Sequence, residues 1–326
     1  MNYQGQLFAY QDVEKAIDKE PLVINPDMLL LDAIALIGEV KKNINEPIIN
    51  QDTPSFLSKE RHYDYALVIE EGELQGILTE RDIVKLTADQ LTFSSVYVGD
   101  VMTETLVTLA IDKLNDIFSI LFLFRRYHIR HLPILDRENK LLGVITPSSI
   151  RNIIRPEYLL KMRRINDVMT RKVFHAPKVN TVLDVAKLMT SRQVSCIVIT
   201  KTEDRDNLLI SVPIGIITER DILQYQSLQL DLSSLPAEEV MSTPLFLMNA
   251  EDSLLEACLE MERRHTRRLV VSSSGDRGFG IITQTSILRI FDPIEMYRTI
   301  GALKDTLKNL EREKAELMAR LNLQRG

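Results

Sequence analysis

The stretch GILTERDI at residues 76–83 returns almost unchanged as GIITERDI at residues 215–222, and this pair of segments decides the fold. The same order of a glycine, two apolar residues and a threonine occurs twice more, as GVIT at 143–146 and GIIT at 280–283. Successive glycines of this closing motif are 67, 72 and 65 residues apart. Because such even spacing is typical of a structural repeat, the sequence predicts four copies of one unit.

The segments around each closing motif repeat as well. Three copies open on an apolar residue, methionine and Ser or Thr: DVMTETLVTL at 100–109, DVMTRKVFHA at 167–176 and EVMSTPLFLM at 239–248. A helix-like stretch follows, such as TVLDVAKLMTSRQ at 181–193, whose apolar residues share one helical face. Next come an apolar strand, a turn and a second strand that ends in the closing motif. Each unit is therefore predicted to be β-α-β-β-α, which makes the chain a mixed α/β (α+β) protein.

A threonine ends each closing motif where a helix should begin. At an N-cap, a threonine hydroxyl accepts a hydrogen bond from an amide of the first helical turn. Four threonines occupy this position: Thr79, Thr146, Thr218 and Thr283. Pro147 follows the second of them, at the first helical position, where the missing N–H costs little. The sequence thus predicts a helix after every closing motif.

A unit of this size buries little apolar surface alone, so the units are expected to pair. The predicted bounds are 12–157 for the first pair (repeats at about 12–90 and 96–157) and 160–292 for the second (repeats at about 160–230 and 236–292). The polar, proline-containing stretch 41–64 of the first unit is predicted to be a surface loop.

Composition and charge limit the class of protein. The chain carries a formal net charge of −6, which argues against a nucleic-acid-binding surface spread over the whole molecule. Its longest apolar run, IFSILFLF at 117–124, is far shorter than the roughly 20 residues of a spanning helix, and no signal peptide is visible. Cys196 and Cys258 both lie in apolar runs, which predicts buried thiols. We therefore expect a cytoplasmic protein with neither a membrane nor a nucleic-acid partner.

The ordered motifs resemble those of the cystathionine-β-synthase (CBS) domain family. The resemblance covers residues of about 12–292 and rests on the VMT starts, the run HLPIL at 131–135 and the four closing motifs. It implies that two units pair face to face through their sheets and that the clefts of a pair bind adenosine-containing ligands. Four units imply two such pairs.

The fourth position of the Thr-x-x-Asp ending separates the repeats. It is aspartate in the first and third repeats but serine in the second and fourth. One interpretation of Thr-x-x-Asp is a helix capping box, in which the side chain only reaches back to the backbone. A carboxylate can also accept two hydrogen bonds from a ribose 2′,3′-diol, which serine cannot do as a bidentate acceptor. In the family the aspartate contacts the ribose, so the resemblance implies two competent sites with Thr79, Asp82, Thr218 and Asp221, and two weaker ones with Thr146, Ser149, Thr283 and Ser286.

Basic residues mark the strand starts of the even repeats, HIRHLP at 128–133 and HTRRLV at 265–270. The odd repeats have YDYALV and QVSCIV there, without a cation. In the family's paired sites, the strand start of one unit faces the closing motif of its partner. The resemblance therefore implies two groups of binding residues: Asp82 with Arg130 and His131, and Asp221 with Arg267 and Arg268.

Guanidinium groups suit a ligand phosphate, although a solvated surface charge is the alternative interpretation of each arginine. Adenine would lie near the repeat starts, for which Thr105–Thr108 and Pro244–Leu247 are candidates.

The sequence contains no motif of a catalytic or metal centre. P-loop, G-x-G-x-x-G, H-E-x-x-H and G-x-S-x-G patterns are missing, and glycine is scarce, at 12 of 326 residues. The histidines are not spaced with cysteines or carboxylates as metal ligands are. We therefore predict no enzyme, no metal site and no catalytic cofactor.

The pattern changes from Asp292 onward. Lys314 is the one polar a position of a heptad whose other a and d positions are Ile300, Leu303, Leu307, Leu310, Leu317 and Leu321. This pattern predicts a coiled coil over 293–326 that forms a homodimer, with a lone helix packed on the domain as the alternative. Similar tails lead from CBS pairs into output domains of bacterial signalling proteins, so the resemblance implies an output domain beyond Gly326.

These features together predict a regulatory sensor, in which two CBS pairs bind adenine nucleotides and transmit occupancy through a dimeric helix. The expected ligands are AMP, ADP or ATP, with S-adenosylmethionine and cyclic dinucleotides as further candidates. Two alternatives stay open: a dimerisation scaffold with degenerate, empty clefts, and the regulatory half of an enzyme or transporter.

Overall fold

The computed structural model describes residues 13–38, 40–41, 61–114, 116–153, 157–205, 208–264, 266–272 and 279–291. We call residues 13–153 the first half and residues 157–291 the second half. The predicted coiled coil at 293–326 and most of the predicted surface loop lie outside the described residues, as does His265.

Each repeat builds one three-stranded sheet of the same topology. The strands are β1 (Val23–Ile24), β2 (Val40–Lys41), β3 (Arg61–His62), β4 (Tyr65–Glu70), β5 (Glu73–Thr79), β6 (Leu109–Ala110), β7 (Leu132–Leu135), β8 (Leu141–Ile145), β9 (His175–Pro177), β10 (Cys196–Arg205), β11 (Leu208–Thr218), β12 (Leu247–Asn249), β13 (Arg268–Ser272) and β14 (Phe279–Thr283). In the first repeat, β1 lies parallel to β4, and β4 lies antiparallel to β5. The other repeats follow the same order with β6–β7–β8, β9–β10–β11 and β12–β13–β14, while β2 and β3 form a separate two-stranded sheet.

Helices connect and close these sheets. They are α1 (Leu30–Gly38), α2 (Glu80–Ala88), α3 (Val98–Val101), α4 (Ile117–Tyr127), α5 (Pro147–Ile153), α6 (Glu157–Met162), α7 (Ile165–Val168), α8 (Val182–Arg192), α9 (Glu219–Ser227), α10 (Ala237–Val240), α11 (Leu254–Arg263) and α12 (Gln284–Ile287), with short 3₁₀ turns at Phe93–Ser95, Ile111–Lys113 and Leu288–Phe291. In each repeat one helix crosses from the first strand to the second, and another follows the third. The predicted β-α-β-β-α unit and the mixed α/β fold are therefore confirmed.

The threonines of the closing motifs cap helices, as predicted. Thr79, Thr218 and Thr283 each accept a hydrogen bond from the amide three residues on, at the start of α2, α9 and α12. Thr146 does the same at α5, which begins at Pro147. Every closing motif thus turns the chain from strand to helix at a fixed point.

The methionine starts and the glycines of the closing motifs pack against each other across each pair. A side chain added at Gly76 would meet Met102 Sδ at 2.6 Å, and one added at Gly215 would meet Met241 Sδ at 2.2 Å. Backbone bridges accompany this packing, between Ile77 and Thr103 and between the equivalent residues of the other repeats. The start of one repeat therefore lies on the closing strand of its partner, which explains why both motifs recur together.

The sheets of paired repeats also face each other, as the resemblance implied. Their inner faces share two buried clusters: Tyr65, Leu67, Ile77 and Val144 in the first half, and Cys196, Val198, Val270 and Ile281 in the second. Larger apolar clusters lie on the helical side of each sheet, where α8 buries Val182, Val185, Ala186 and Met189 as its pattern predicts. Both cysteines are buried, and burial raises the pKa of the Cys258 thiol to about 11.

The two halves meet through the helices that close their repeats and, in the odd repeats, also through the crossing helices α1 and α8. Helix α2 contacts α8, and α9 contacts both α1 and α2. Gln226 Nε2 donates to Thr87 Oγ1 at 3.0 Å across this contact, and Ser148 Oγ donates to Gln284 Oε1 at 3.1 Å between the even repeats. The closing motifs therefore lie where the halves join.

Gly143 offers a test of the packing between the start of one repeat and the closing strand of its partner. A Cβ at this position would lie 2.3 Å from the backbone oxygen of Asp18. We expect Gly143→Ala to lower the free energy of unfolding by about 2 kcal/mol or more, since a backbone atom cannot move aside cheaply. Urea unfolding measures this change. Gly38→Ala is the control: its nearest contact is the flexible end of Leu223 at 3.3 Å, so a change below about 1 kcal/mol is expected. Equal losses for the two variants would contradict the packing.

Candidate functional site

Asp82 stands on the first turn of α2 with one carboxylate oxygen engaged. Its Oδ2 accepts hydrogen bonds from the Thr79 amide at 2.8 Å and the Thr79 hydroxyl at 2.7 Å, which completes a capping box. Among the described residues, its Oδ1 has one long contact, 3.5 Å, with the Thr103 hydroxyl. The capping interpretation and the ribose interpretation are therefore compatible, because each uses a different oxygen.

A cleft of about 160 Å³ opens beside this carboxylate. Arg130 and His131 line it together with Asp82, so the structure brings together the three side chains that the sequence grouped in the first half. Thr105, Leu106 and Val107 form an apolar part of the wall, where adenine was expected. Thr103 also lines the cleft, although the sequence did not identify it as a candidate. It is the threonine of the VMT start at residues 101–103.

Asp221 has the same local geometry but does not line the cleft at Asp82. Its Oδ2 accepts from the Thr218 amide at 2.7 Å, and its own amide donates to Thr218 Oγ1 at 3.3 Å. Burial raises the pKa of the Asp221 carboxyl despite its hydrogen bonds to Thr218 and the nearby charges of Arg268 and Arg220. Among the described residues, Asp221 lines neither the cleft at Asp82 nor the larger cavity described below. The two odd repeats are therefore not equivalent.

In the even repeats, serine takes over the capping role of aspartate. Ser149 Oγ accepts from the Thr146 amide at 2.9 Å, and Ser286 Oγ accepts from the Thr283 amide at 2.6 Å. All four residues line a cavity of about 2120 Å³ between the halves. The serines thus preserve the helix start but present no carboxylate.

The glutamates of the two TERD segments are the most buried charges at the contact between the halves. The side chains of Glu219 and Glu80 are only 2% and 4% exposed. Arg81 Nε donates to Glu219 Oε1, and Arg220 Nε donates to Glu80 Oε1, each at 3.3 Å. The arginine of each TERD segment therefore pairs with the glutamate of the other segment.

The arginines of the even repeats join the same network. Arg130 Nη2 lies 2.7 and 3.0 Å from the two oxygens of Glu219, so it reaches the second half from the cleft of the first. Arg267 comes from the second half and reaches Glu80 at 3.2 Å, and it also pairs with Asp64. The predicted grouping of Arg267 with Asp221 is therefore not found, because the guanidinium turns toward the carboxylates of the first half.

Arg268 stays within the second half. Its Nη1 donates to the Ser195 carbonyl oxygen and to the Ser195 hydroxyl, at 3.2 Å to the latter. It is close enough to Asp221 to act on the pKa of that carboxyl. Of the two arginines that were grouped with Asp221, Arg268 is therefore the one that lies near the third closing motif.

Asp64 corrects a second expectation, because it belongs to the stretch that was predicted to be a surface loop. Its side chain is 20% exposed and lies between Arg267 and His131, whose Nε2 is 3.2 Å from Asp64 Oδ1. Burial alone would raise the pKa of Asp64, but the charges of Arg267, His131 and Arg130 hold it well below its usual range. The pKa of Glu219 is also lowered, because Arg130, Arg81 and Arg268 outweigh the effect of burial.

The large cavity is strongly basic. Twelve lysine and arginine side chains line it against four carboxylates, in a chain whose net charge is −6. Arg81, Arg130 and His128 line both this cavity and the cleft at Asp82. The two spaces therefore share these three side chains.

The described residues provide neither a cluster of metal-ligating side chains nor a membrane-spanning helix. They contain no group of three or more His, Cys, Asp or Glu side chains arranged to hold a metal ion. Within the same ranges, no helix is both long and apolar enough to cross a bilayer.

The carboxylates of this network predict a particular response to acid. The folded pKa of Asp64 is below its ordinary value of 3.8. The ionised Asp64 carboxylate therefore makes its full contribution to the free energy of unfolding above pH 3.8, and this contribution is lost as the pH falls through the folded pKa. We expect Asp64→Asn to cost roughly 3 kcal/mol of unfolding free energy at pH 7, and this deficit to shrink below about pH 4. Urea unfolding of the unaltered chain and of Asp64→Asn between pH 7 and pH 3 measures the difference in their free energies of unfolding. A deficit that stayed constant with pH would contradict the ion-pair network.

Comparison with known proteins gives an independent result. The model of the CBS domain matches residues 12–89, 98–156, 165–228 and 237–292. Uncharacterized protein MJ1225 of Methanocaldococcus jannaschii is 23% identical over 170 residues, which cover 49% of this chain and 57% of that protein. L-aspartate semialdehyde sulfurtransferase of Methanosarcina acetivorans is 30% identical over 158 residues, 47% of this chain and 30% of that enzyme. These sequence matches thus span 57% and 30% of the two relatives, less than two thirds of either.

Solved structures show the same fold over a larger part of the chain. The crystal structure of MJ1225 superposes with a TM-score of 0.66 at 20% identity, covering 86% of this chain and 99% of that one. An uncharacterized conserved protein from Pyrococcus horikoshii gives a TM-score of 0.52 at 16% identity, covering 85% and 98%. At these identities the likeness concerns the fold.

Proposed function

Because the chain belongs to the CBS-domain family, with four matched domains, we propose that it is a regulatory module that senses adenosine-containing ligands. The primary site is the cleft at Asp82. The observation that carries the proposal is the convergence of Asp82 Oδ1, Arg130 and the apolar residues Leu106 and Val107 on one cleft.

The chemistry of this cleft matches the three parts of such a ligand. A ribose diol donates hydrogen bonds, and Asp82 Oδ1 is an acceptor that the capping box leaves available. Leu106 and Val107 offer apolar surface to a base. Arg130 and Arg81 lie where the cleft joins the basic cavity, on the side where a 5′-phosphate would extend.

Asp221 and Arg268 form a second, subordinate candidate. Their local geometry repeats that of the first site, and Arg268 lines the large cavity, but Asp221 lines neither that cavity nor the cleft at Asp82. The serine positions of the even repeats, Ser149 and Ser286, lack the carboxylate and are assigned no ribose contact.

Sensing would work by population shift. A ligand that prefers one arrangement of the two halves biases the chain toward it, by no more than its differential affinity for the arrangements. Transmission through the predicted coiled coil to an output domain, and homodimer formation, are parts of the same proposal. We expect the ligand to change the position of the first predicted pair, 12–157, relative to the second, 160–292.

A serine substitution tests the ribose contact without disturbing the helix start. Serine completes the capping box at residues 149 and 286, so Asp82→Ser should leave the free energy of unfolding within about 1 kcal/mol of the original. We expect it to weaken binding at least tenfold, because a charge-assisted hydrogen bond to the ribose is lost. Isothermal titration with AMP, ADP, ATP, S-adenosylmethionine and a cyclic dinucleotide measures the affinities.

Asp221→Ser is the matched control, with the same change at a position that lines neither space. We expect a smaller loss of affinity than for Asp82→Ser. Absence of binding for every ligand would favour a scaffold with empty clefts, and equal affinities for Asp82→Ser and the unaltered chain would refute the site.

A further inference from the structure

Arg130 belongs to two places in the molecule at once. It lines the cleft at Asp82, and its Nη2 lies 2.7 and 3.0 Å from the carboxylate oxygens of Glu219 in the second half. Glu219 lines the same cleft. The cation expected to receive a ligand phosphate therefore already faces a carboxylate supplied by the protein itself.

Glu219 is firmly held in that position. Its side chain is 2% exposed, and Arg81 Nε gives it a further contact at 3.3 Å. The residue begins helix α9, where the helix dipole favours a negative charge. Its amide donates to the Ser195 carbonyl oxygen at 3.1 Å, which fixes the backbone from which the carboxylate extends.

The size and charge of the cleft point the same way. Its volume of about 160 Å³ is below the roughly 300–1,000 Å³ of typical ligand pockets. Four carboxylates line it, Asp64, Glu80, Asp82 and Glu219, against the guanidinium groups of Arg81 and Arg130. Arg130 lines the basic cavity as well as the cleft, so a ligand whose anionic group extended toward that cavity would meet the Arg130–Glu219 pair.

We propose that Glu219 is a specificity-determining residue of the cleft at Asp82, where its carboxylate competes with a ligand's 5′-phosphate for Arg130. While the halves are joined through this pair, the cleft selects adenosine compounds that lack a 5′-phosphate. A phosphorylated ligand binds only by taking Arg130 from the second half. This inference rests on the proposed function, since it presupposes an adenosine-containing ligand at Asp82.

A double-mutant cycle isolates the competition. The measured quantity is the ratio of the affinities for AMP and adenosine, obtained by isothermal titration for the unaltered chain, Glu219→Gln, Arg130→Gln and the double variant. Glu219→Gln should raise the ratio about tenfold or more, because Arg130 becomes available for a charge-assisted hydrogen bond to phosphate. Arg130→Gln alone should change the ratio less than about threefold, and the double variant should lose the gain of Glu219→Gln.

A Glu→Gln change at a distant ion pair serves as the matched control. Glu238 pairs with Lys178 at 2.5 Å and is 37% exposed, and Glu238→Gln should leave the AMP-to-adenosine ratio unchanged. Thermal unfolding verifies that each variant is folded. If Glu219→Gln does not fold, Arg130→Gln still shows whether Arg130 contributes to AMP binding. In that variant Glu219 keeps its ion pair with Arg81, so the fold is expected to persist.

The opposite results are distinct from a failure of the proposed function. An unchanged ratio in Glu219→Gln, or a tenfold loss in Arg130→Gln alone, would mean that Arg130 already serves the ligand, and would overturn the role of Glu219. If neither adenosine nor AMP bound any of the four proteins, the proposed function would fall and the inference with it.

Discussion

The arrangement of the molecule depends on two buried glutamates that cannot be left without partners. Glu80 and Glu219 each begin a helix at the contact between the halves, and each side chain is almost fully enclosed. An ionised carboxylate in such surroundings is costly unless cations face it at hydrogen-bonding distance. The cations come from the opposite half, as Arg220 for Glu80 and Arg81 for Glu219. Docking of the halves is therefore a condition for the stability of both.

This exchange gives every letter of TERD a physical role. Threonine caps the helix, glutamate is buried at the contact, arginine crosses to the other half, and aspartate completes the cap. Asp82, unlike Asp221, also lines the cleft. In the even repeats, neutral residues occupy the middle positions, and Ser148 and Gln284 meet there through a single hydrogen bond. A neutral contact of this kind carries no large desolvation cost, so the even side of the interface constrains the docking less than the odd side does.

Features that depend on local sequence could be predicted, and features that depend on docking could not. The N-caps and the buried face of α8 follow from short local patterns, and the β-α-β-β-α unit follows from motifs that recur 65 to 72 residues apart. The grouping of Asp82 with Arg130 and His131 required only the pairing of two neighbouring repeats, which the family resemblance supplied. A glutamate at the first turn of a helix is ordinary in sequence, whereas its burial is decided by a segment some 140 residues away.

The same reasoning explains two side chains whose contacts the sequence did not predict. Arg267 stands beside Arg268 in the sequence, yet the two point to different halves because Asp64 and Glu80 attract only the first. Asp64 lay in a polar stretch with no pattern to distinguish it, and its place between Arg267 and His131 appears only when the second half is docked.

The shared arginine also determines what the protein could sense. If a ligand leaves the Arg130–Glu219 pair intact, it gains its affinity from one half and has little differential interaction with the arrangement of the two. If a ligand's phosphate takes Arg130, Glu219 keeps its ion pair with Arg81, whose side chain is 49% exposed and therefore weakly bound. The cost of that change falls on the contact between the halves, and so a phosphate, unlike the adenosine part, would weaken their docking. Because linkage is reciprocal, any influence that separates the halves would in turn raise the affinity of the cleft for phosphate.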